Sequence, residues 1–354
     1  MPRLKLGEDS PRCFTLPPLK SLVTTIEHTG LWAPWIFLLL FIAASLLMIW
    51  RLEAMNDDGF EGTVLGTLVM PYCSGIGNLV FAFLLGMNHG PGAEVMTNAL
   101  VNNVTNMTLL IGLPAIIWGM NIAGKPAANK SNGKSNKSGG NKTQQLNRLS
   151  LLLTLAAVLF FTGATWALAR DGKLNFTDGL VLVGLFLFWQ CFHVFDVLKT
   201  NVQKGRAFSW VLPVDLALLA LGAVAIYIST DWLVTWSSSA KNIFVRDHLG
   251  WLSGWLMVLP NAMLALYYGW RGKPEVIYSS QVGDGHICIP LCIGIYALYQ
   301  PLVVPAFFQT GVIILGAATA LHFVVVAVFG GLPRFVGLAL LASYGVFLWK
   351  GLKG

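Results

Sequence analysis

Residues 77–103 read GNLVFAFLLGMNHGPGAEVMTNALVNN, two apolar segments joined by a reversal rich in glycine and proline. Asn78 lies in the first segment, and the second continues to residue 107 as TNALVNNVTNM, with four asparagines in eleven positions. A side-chain amide in a lipid-embedded helix is costly unless it finds partners, so such residues face a bundle interior or a wet cavity. The stretch therefore predicts two membrane helices that direct polar groups into the protein.

The same arrangement recurs 183 positions later, where residues 260–286 read PNAMLALYYGWRGKPEVIYSSQVGDGH. Six landmarks keep the same spacing, four of them identical and the last two polar in both copies. They are Asn78, Ala82, Gly86, Pro91, Asn98 and Asn103 in the first copy, and Asn261, Ala265, Gly269, Pro274, Gln281 and His286 in the second. The displacement is close to half of the chain and predicts an internal duplication. A chance likeness between two amphipathic hairpins is the alternative.

The composition of the chain is that of a membrane protein. Of its 354 residues, 55% are hydrophobic and 11% are charged, whereas a soluble domain carries about 25% charged residues. Hydrocarbon cannot solvate an unpaired backbone amide, so the recurring apolar segments predict an all-α polytopic protein of about ten transmembrane helices. The predicted spans are 31–50, 62–87, 94–120, 148–169, 175–196, 208–228, 248–269, 275–299, 303–330 and 333–351.

Five predicted spans fall in each half of the chain. An odd number of crossings inverts the second repeat relative to the first, as in many secondary transporters, whose substrate site lies near the midplane. We expect an N-terminal tail over 1–30, a first five-helix repeat over 31–196, an inter-repeat loop over 197–207 and a second repeat over 208–354. Residues 122–147, rich in Lys, Asn, Ser and Gly, are expected to be a disordered loop.

The net charge of +7 is better explained by membrane topology than by a nucleic-acid partner. Lys and Arg concentrate in the loops after the third and fifth spans, which the positive-inside rule places in the cytoplasm. The segment 122–147 would then be cytoplasmic and both termini outside, in the cell membrane or an inner membrane. The five cysteines and six histidines form no metal-binding pattern, and no cofactor is expected.

The asparagines of TNALVNNVTNM are expected to line one wall of a cavity. Asn98 and Asn102 share a helical face, and Asn103 and Asn106 lie on an adjacent one. Amide oxygens are hard neutral ligands that suit Na⁺ or Ca²⁺ together with backbone carbonyls. Hydrogen bonding between helices is the alternative role.

The second copy of the repeat is more titratable than the first. In SQVGDGHICIP, residues 280–290, Gln281, Asp284 and His286 lie in a helix loosened by two glycines and a proline. Asp284 is the acid best placed to meet a cation or a proton within the membrane, and His286 could titrate with it or donate to it. The alternative is a buried Asp and His that satisfy each other structurally.

At these residues the chain resembles the cation/Ca²⁺ antiporter superfamily, which includes the sodium/calcium exchangers. That family has ten spans in two inverted halves, each with a G-T-S-x-P-E motif on one helix and G-N-x-x-G-S-N on the next. In the first half, CSGIGN is similar to the first motif and TNALVNNVTNM to the second. For the first motif, the resemblance assigns Ser74 to the Thr, Gly75 to the Ser and Asn78 to the Glu. For the second motif, it assigns Asn98 to the first Asn, Asn102 to the Ser and Asn103 to the last Asn.

In the second half, LMVLPN keeps Leu259 and Pro260 of the motif and puts Asn261 on the glutamate position. SQVGDGH then assigns Gln281 to the first Asn, Gly285 to the Ser and His286 to the last Asn, with Asp284 in place of a glycine. Asp231 resembles the acid of the segment that leads to this repeat in the family. Three apolar residues replace the G-T-S hydroxyl segment here, namely Leu256, Met257 and Val258.

Both family glutamates are therefore missing. The resemblance implies that those carboxylates bind Ca²⁺ and exchange it for Na⁺, whereas a site formed by Asn78, Asn261 and Asp284 has at most one fixed negative charge. Removing water from a divalent ion with so little charge is unfavourable. The sequence thus favours monovalent-cation or proton-coupled exchange, with Na⁺ and H⁺ as the first candidate ions and K⁺ or Ca²⁺ as the others.

The leading hypothesis is a secondary active transporter that works by alternating access around this site, with the bilayer and small inorganic cations as its partners. The second is a non-transporting membrane partner or sensor that retains the exchanger fold. An intramembrane enzyme using Asp284 and His286 ranks lowest, because no nucleophile and base constellation is evident.

Overall fold

Helices account for most of the structure, a computed structural model that describes residues 17–57, 70–121, 137–204, 212–239 and 243–353. The first half comprises α1 (Pro17–Glu27), α2 (Ala33–Asp57), α3 (Met70–Met87), α4 (Gly92–Thr105), α5 (Ile111–Ile117), β1 (Met120–Asn121), α6 (Lys137–Leu168), β2 (Lys173–Leu174) and α7 (Phe176–Lys204). The second half comprises α8 (Leu212–Ser238), α9 (Ile243–Asp247), α10 (Leu249–Trp270), α11 (Pro274–Ile287), α12 (Ile293–Tyr299), β3 (Leu302–Val303), α13 (Phe308–Phe329), β4 (Gly331–Leu332) and α14 (Arg334–Gly351). Single 3₁₀ turns lie at Gly30–Trp32 and Ala169–Asp171, and π-helical turns at Asn106–Leu110 and Cys288–Cys292.

Seven helices within the described ranges are long and apolar enough to cross a membrane. They are Gly30–Arg51, Gly92–Ile117, Arg148–Asp171, Pro213–Ser238, Leu249–Trp270, Pro274–Tyr299 and Phe308–Phe329. Each coincides with a predicted span, and the three remaining predicted spans coincide with α3, α7 and α14. The predicted mainly helical architecture is confirmed, and the described ranges add four strands of two residues each.

Several element boundaries differ from the prediction. Residues 137–147 belong to α6 although the whole of 122–147 was expected to be disordered, and residues 122–136 lie outside the described ranges. Similarly, α7 continues to Lys204, through most of the expected loop 197–207, and α1 lies in the expected N-terminal tail. Extending an existing helix adds one hydrogen bond per residue without a new nucleation cost. Helices can therefore continue past the apolar residues by which a span is recognised.

Two interrupted helices occupy the centre of the bundle. The first central helix, Gly92–Ile117, is α4, a π turn and α5, with 14, 5 and 7 residues. The second central helix, Pro274–Tyr299, has segments of 14, 5 and 7 residues in the same order. Their most apolar windows are 78% and 83% buried, against at most 61% in the other candidate spans. Both halves thus place an irregular backbone turn deep inside the protein, as π turns often do at functional sites.

The two halves pack against each other through equivalent elements. Helix α2 packs mainly on α8, and α6 packs on α13. Helix α10 lies along the first central helix, while α3 lies along the second. The strands also pair between the halves: β1 pairs with β4, and β2 pairs with β3, both antiparallel. This reciprocal packing brings the two π turns and their flanking helices into contact.

Each central helix also crosses the last helix of the other half at a pair of glycines. A Cβ atom on Gly337 of α14 would lie 2.7 Å from the carbonyl oxygen of Gly112. A Cβ atom on Gly179 of α7 would lie 2.9 Å from the carbonyl oxygen of Gly294. Small residues allow such close backbone contacts in lipid, where association depends on packing rather than on apolar burial. The crossings hold the ends of both central helices.

We expect Gly337→Ala to destabilise the protein by about 1–3 kcal/mol, because the new methyl group meets a backbone oxygen that cannot rotate away. Thermal unfolding of the purified protein measures this as a lower midpoint. Gly345→Ala on the same helix is the matched control, because nothing lies within 4 Å of its Cβ position. Equal midpoints for the two variants would contradict the close crossing.

Candidate functional site

Asp284 lies at the centre of the bundle and is completely buried. Its Oδ2 atom accepts a hydrogen bond of 3.0 Å from Nδ2 of Asn106 and one of 2.5 Å from Nδ2 of Asn261. Asn106 begins the π turn of the first central helix, Asn261 lies on α10 and Asp284 itself lies on α11. Amides from two further helices, one of them from the first half, therefore converge on one carboxylate at lipid depth.

Asn106 and Asp284 belong to a four-residue cluster with reciprocal contacts. Nδ2 of Asn102 lies 3.1 Å from Sγ of Cys288, and Nδ2 of Asn106 lies 3.2 Å from Oδ1 of Asn102. Asn102 and Asp284 are 182 positions apart, as are Asn106 and Cys288. The two contacts therefore cross. Asn102 contacts Cys288, which lies 182 positions after Asn106, and Asn106 contacts Asp284, which lies 182 positions after Asn102.

This cluster differs in register from the 183-residue repeat predicted from the sequence. The two central helices begin at Gly92 and Pro274, which are also 182 positions apart. Counted from these helix starts, Asp284 has the same position as Asn102, and Cys288 has the same position as Asn106. The second hairpin has one residue fewer between its two helices than the first. Matching polar landmarks in a sequence cannot reveal this difference, because polar residues are frequent at neighbouring positions.

The other predicted amides are buried near this cluster but have different partners. Asn98 donates to Oγ of Ser253 at 3.1 Å, and Gln281 donates to the carbonyl oxygen of Asn261 at 3.2 Å. Asn103 donates to the carbonyl oxygen of Ala99 at 2.7 Å, one turn earlier on its own helix. The remaining two predicted residues lie on α3. Asn78 is buried without a hydrogen-bond partner among the described residues, and the side chain of Ser74 lies outside them.

His286 is directed toward helices α6 and α7. Its Nε2 atom lies 3.1 Å from the carbonyl oxygen of Thr154, and its ring centroid lies 5.2 Å from that of Trp189. Residues two apart on an α-helix project about 200° from each other, so Asp284 and His286 leave α11 in nearly opposite directions. His286 thus contacts α6 through Thr154 and α7 through Trp189.

Five amide oxygens in this region are buried and have no hydrogen-bond partner within the described residues. They belong to Asn78, Asn103, Asn106, Asn261 and Gln281. Buried polar atoms in proteins are nearly always paired with protein groups, water or ions. A set of neutral hard oxygens beside a single carboxylate has the chemistry of a ligand set for a weakly hydrated cation.

Two carboxylates outside the cluster connect the halves of the bundle. Asp215 on α8 is buried and forms an ion pair with Arg51 on α2, whose Nε atom donates to Oδ1 at 2.9 Å. Glu94, in the first turn of α4, accepts the backbone N–H of Gly250 in the first turn of α10. Neither role was predicted. The sequence signal was the presence of each acid at the start of a span, which indicates a helix terminus but not the partner.

Comparisons with known proteins bear on what this arrangement can be. The family model described as sodium/calcium exchanger protein matches residues 29–195 and 214–350, most of both halves. The chain belongs to the sodium/calcium exchanger family. The resemblance inferred from the repeat motifs is thereby confirmed. A search of curated proteins finds no match.

Solved structures of an exchanger share the fold. The sodium–calcium exchanger NCX_Mj soaked with 2.5 mM Na⁺ and 10 mM Sr²⁺ has a TM-score of 0.59 and 19% identity, covering 92% of this chain and 98% of the other. The same exchanger soaked with zero Na⁺ and Ca²⁺ has a TM-score of 0.59 and 18% identity, covering 88% and 95%. With its apolar helices, this exchanger family member is an integral, multi-pass membrane protein.

The hydrogen bond between Asn261 and Asp284 predicts an energetic coupling in this exchanger family member. Asn261→Ala should cost about 1.5–3 kcal/mol of unfolding free energy, because a buried carboxylate loses a donor. In an Asp284→Ala background the cost should fall by more than about 1 kcal/mol. A double-mutant cycle by reversible denaturant unfolding in micelles measures the difference.

The pair Asn98 and Asp284 provides the matched control cycle, because Asn98 donates to Ser253 instead. Its coupling should be below about 0.5 kcal/mol. Equal coupling in the two cycles would show that the amide of Asn261 has no special relation to the carboxylate.

Proposed function

We propose that this protein is a secondary active cation antiporter whose ion site is centred on Asp284 and lacks both glutamates of the family's signature repeats. The observation that carries the proposal is the buried carboxylate that accepts hydrogen bonds from amides of both halves. The proposed ligands are Asn78, Asn98, Asn102, Asn103, Asn106, Asn261, Gln281 and Asp284. Ser74 is a further candidate from the sequence, whereas His286, the other candidate, is directed away from Asp284. Membership of the exchanger family supports the transporter class.

The transport mechanism we propose is alternating access between two inverted five-helix repeats, approximately 31–196 and 208–354. Equal segment lengths in the central helices and the exchanged contacts of α3, α10 and the strands support this arrangement. In such a design one structure can adopt two related states in which the repeats exchange conformations around a fixed midplane site. We retain the predicted topology, with both termini outside and segment 122–147 in the cytoplasm.

A single carboxylate favours monovalent ions as the cargo. The charge of Asp284 can be neutralised by one Na⁺ or by one proton, and either leaves a site of low net charge in the membrane interior. A divalent ion would leave an excess positive charge and would lose a much stronger hydration shell. Exchange of Na⁺ for H⁺ at Asp284 is therefore the proposed reaction, with K⁺ and Ca²⁺ as less favoured cargoes.

We expect Asp284→Asn to reduce exchange to the level of empty vesicles, because the variant can neither bind a proton nor attract a cation. The measurement is uptake of radiolabelled Na⁺ into proteoliposomes under an imposed pH gradient. Asp171→Asn is the control, since Asp171 is exposed beside β2 and should leave uptake unchanged. Wild-type uptake in Asp284→Asn would refute the site. Failure of the wild type to move any cation would favour the non-transporting partner or sensor.

The absence of the two family glutamates leads to a gain-of-function prediction. The double substitution Asn78→Glu with Asn261→Glu should create Ca²⁺ binding, since it adds two carboxylates to the site of Asp284. The measurement is the rise in unfolding temperature of purified protein on titration with Ca²⁺. The isosteric control is Asn78→Gln with Asn261→Gln, for which no rise is expected. Equal responses of the Glu and Gln variants would show that these positions do not determine ion charge.

A further inference from the structure

The π turn of the first central helix leaves one carbonyl without its usual donor. In an α-helix the N–H of Ile111 would bond to the carbonyl oxygen of Met107, four residues earlier. Here it donates to Thr108 instead. The carbonyl of Met107 is satisfied by His322 of α13, whose Nε2 atom lies 2.7 Å from it. A side chain from another helix thus replaces a backbone donor at this interruption.

The contacts of His322 determine its protonation pattern. A carbonyl oxygen can only accept, so Nε2 must carry a proton. In the neutral ring Nδ1 is then an acceptor, and the hydroxyl of Tyr278 lies 3.1 Å from it as donor. Tyr278 and His322 are both completely buried. Because Tyr278 lies on α11, one imidazole joins α13 to both central helices.

The two partners of His322 lie on the same two central helices as the partners in the central hydrogen bond. Met107 directly follows Asn106, whose amide donates to Asp284. Tyr278 lies on the same helix as Asp284. His322 therefore fixes the position of the π turn, which carries the donor, relative to α11, which carries the acceptor.

We propose that His322 is a positioning residue for the ion site, acting through the Met107 carbonyl and Tyr278 to align Asn106 with Asp284. The proposal rests on the proposed function, since it assigns a role within that same site. His322 itself does not touch the ion.

The corresponding turn in the second half has no matching side chain. There Ile293 donates to the carbonyl of Pro290, so Ile289 loses its α-helical donor as Met107 does. No side-chain donor reaches the carbonyl of Ile289 in the described part of the chain. A histidine donor to the free carbonyl is therefore found only at the π turn that carries Asn106, among the described residues. If every π turn needed such a donor, the second turn would have one too.

Side-chain replacements at position 322 separate the two contacts. In His322→Gln the amide nitrogen can reach the position of Nε2 and keep the bond to Met107, whereas in His322→Asn it reaches only the position of Nδ1. We expect His322→Asn to raise the Na⁺ concentration for half-maximal thermal stabilisation roughly tenfold, because the Met107 carbonyl loses its buried hydrogen bond. His322→Gln keeps that bond and loses only the contact with Tyr278, so it should raise the value less, by about threefold. His248→Asn, at a partly exposed contact with the Phe244 carbonyl, is the control and should leave the value unchanged.

Two results would overturn the proposal. One is wild-type Na⁺ affinity in His322→Asn, and the other is an equal loss in the Asn and Gln variants, which would mean that the Met107 bond is irrelevant. If His322→Asn does not fold, Tyr278→Phe decides, since it removes only the hydroxyl. It should weaken Na⁺ affinity about threefold, and unchanged affinity would reject the role.

Nitrogen NMR of labelled histidine gives a test independent of ion binding. The His322 signal, assigned by its loss in His322→Gln, should show a neutral ring protonated at Nε2, and the other tautomer would contradict the geometry. Asp284→Asn in the same Na⁺ titration separates the two proposals. Retained Na⁺ response in that variant refutes the ion site. Loss of response there, with normal His322 variants, refutes only the positioning role.

Discussion

The buried carboxylate of Asp284 is the constraint on which the rest of the structure depends. A carboxylate at lipid depth is expensive unless polar groups surround it, and no single helix can supply them. Here the donors come from α10 and from the π turn of the first central helix. Both helices must therefore pack closely on α11. The reciprocal contacts between the halves bring these helices together.

The two π turns begin at residues of the central cluster, Asn106 and Cys288. A regular helix uses its backbone groups internally and cannot change the direction of its side chains between one turn and the next. Asn106 and Cys288 are the first residues of the interruptions at 106–110 and 288–292, and the residues that follow them leave the regular helical register. The cost is a carbonyl without an α-helical donor. In the first half the ring of His322 contacts that carbonyl, so a residue far from the repeat motifs supports the site.

Much of this structure could be predicted from the sequence because hydropathy and polar spacing are local. The apolar segments indicated the helices, and the asparagines of 97–107 with Asp284 indicated where the protein is polar inside. The features that could not be predicted depend on how the helices pack in three dimensions. The one-residue shift between the repeats, the pairing of Asn106 with Asp284 and the role of His322 arise from how helices meet. The extension of α6 to Lys137 reflects helix propagation, which composition does not report.

The two halves contribute chemically different residues to the site. Positions related by the repeat now hold Asn102 and Asp284, and Asn106 and Cys288. The negative charge thus lies on a central helix rather than at the two family glutamate positions, where Asn78 and Asn261 stand. Asn261, at one of those positions, donates a hydrogen bond to the carboxylate of Asp284. In the proposed cycle an unloaded site would move the negative charge of Asp284 through the bilayer interior, whereas a site loaded with one Na⁺ or one proton would be neutral. The same electrostatic cost that demands amide donors in the resting structure would therefore oppose movement of the empty carrier and enforce exchange.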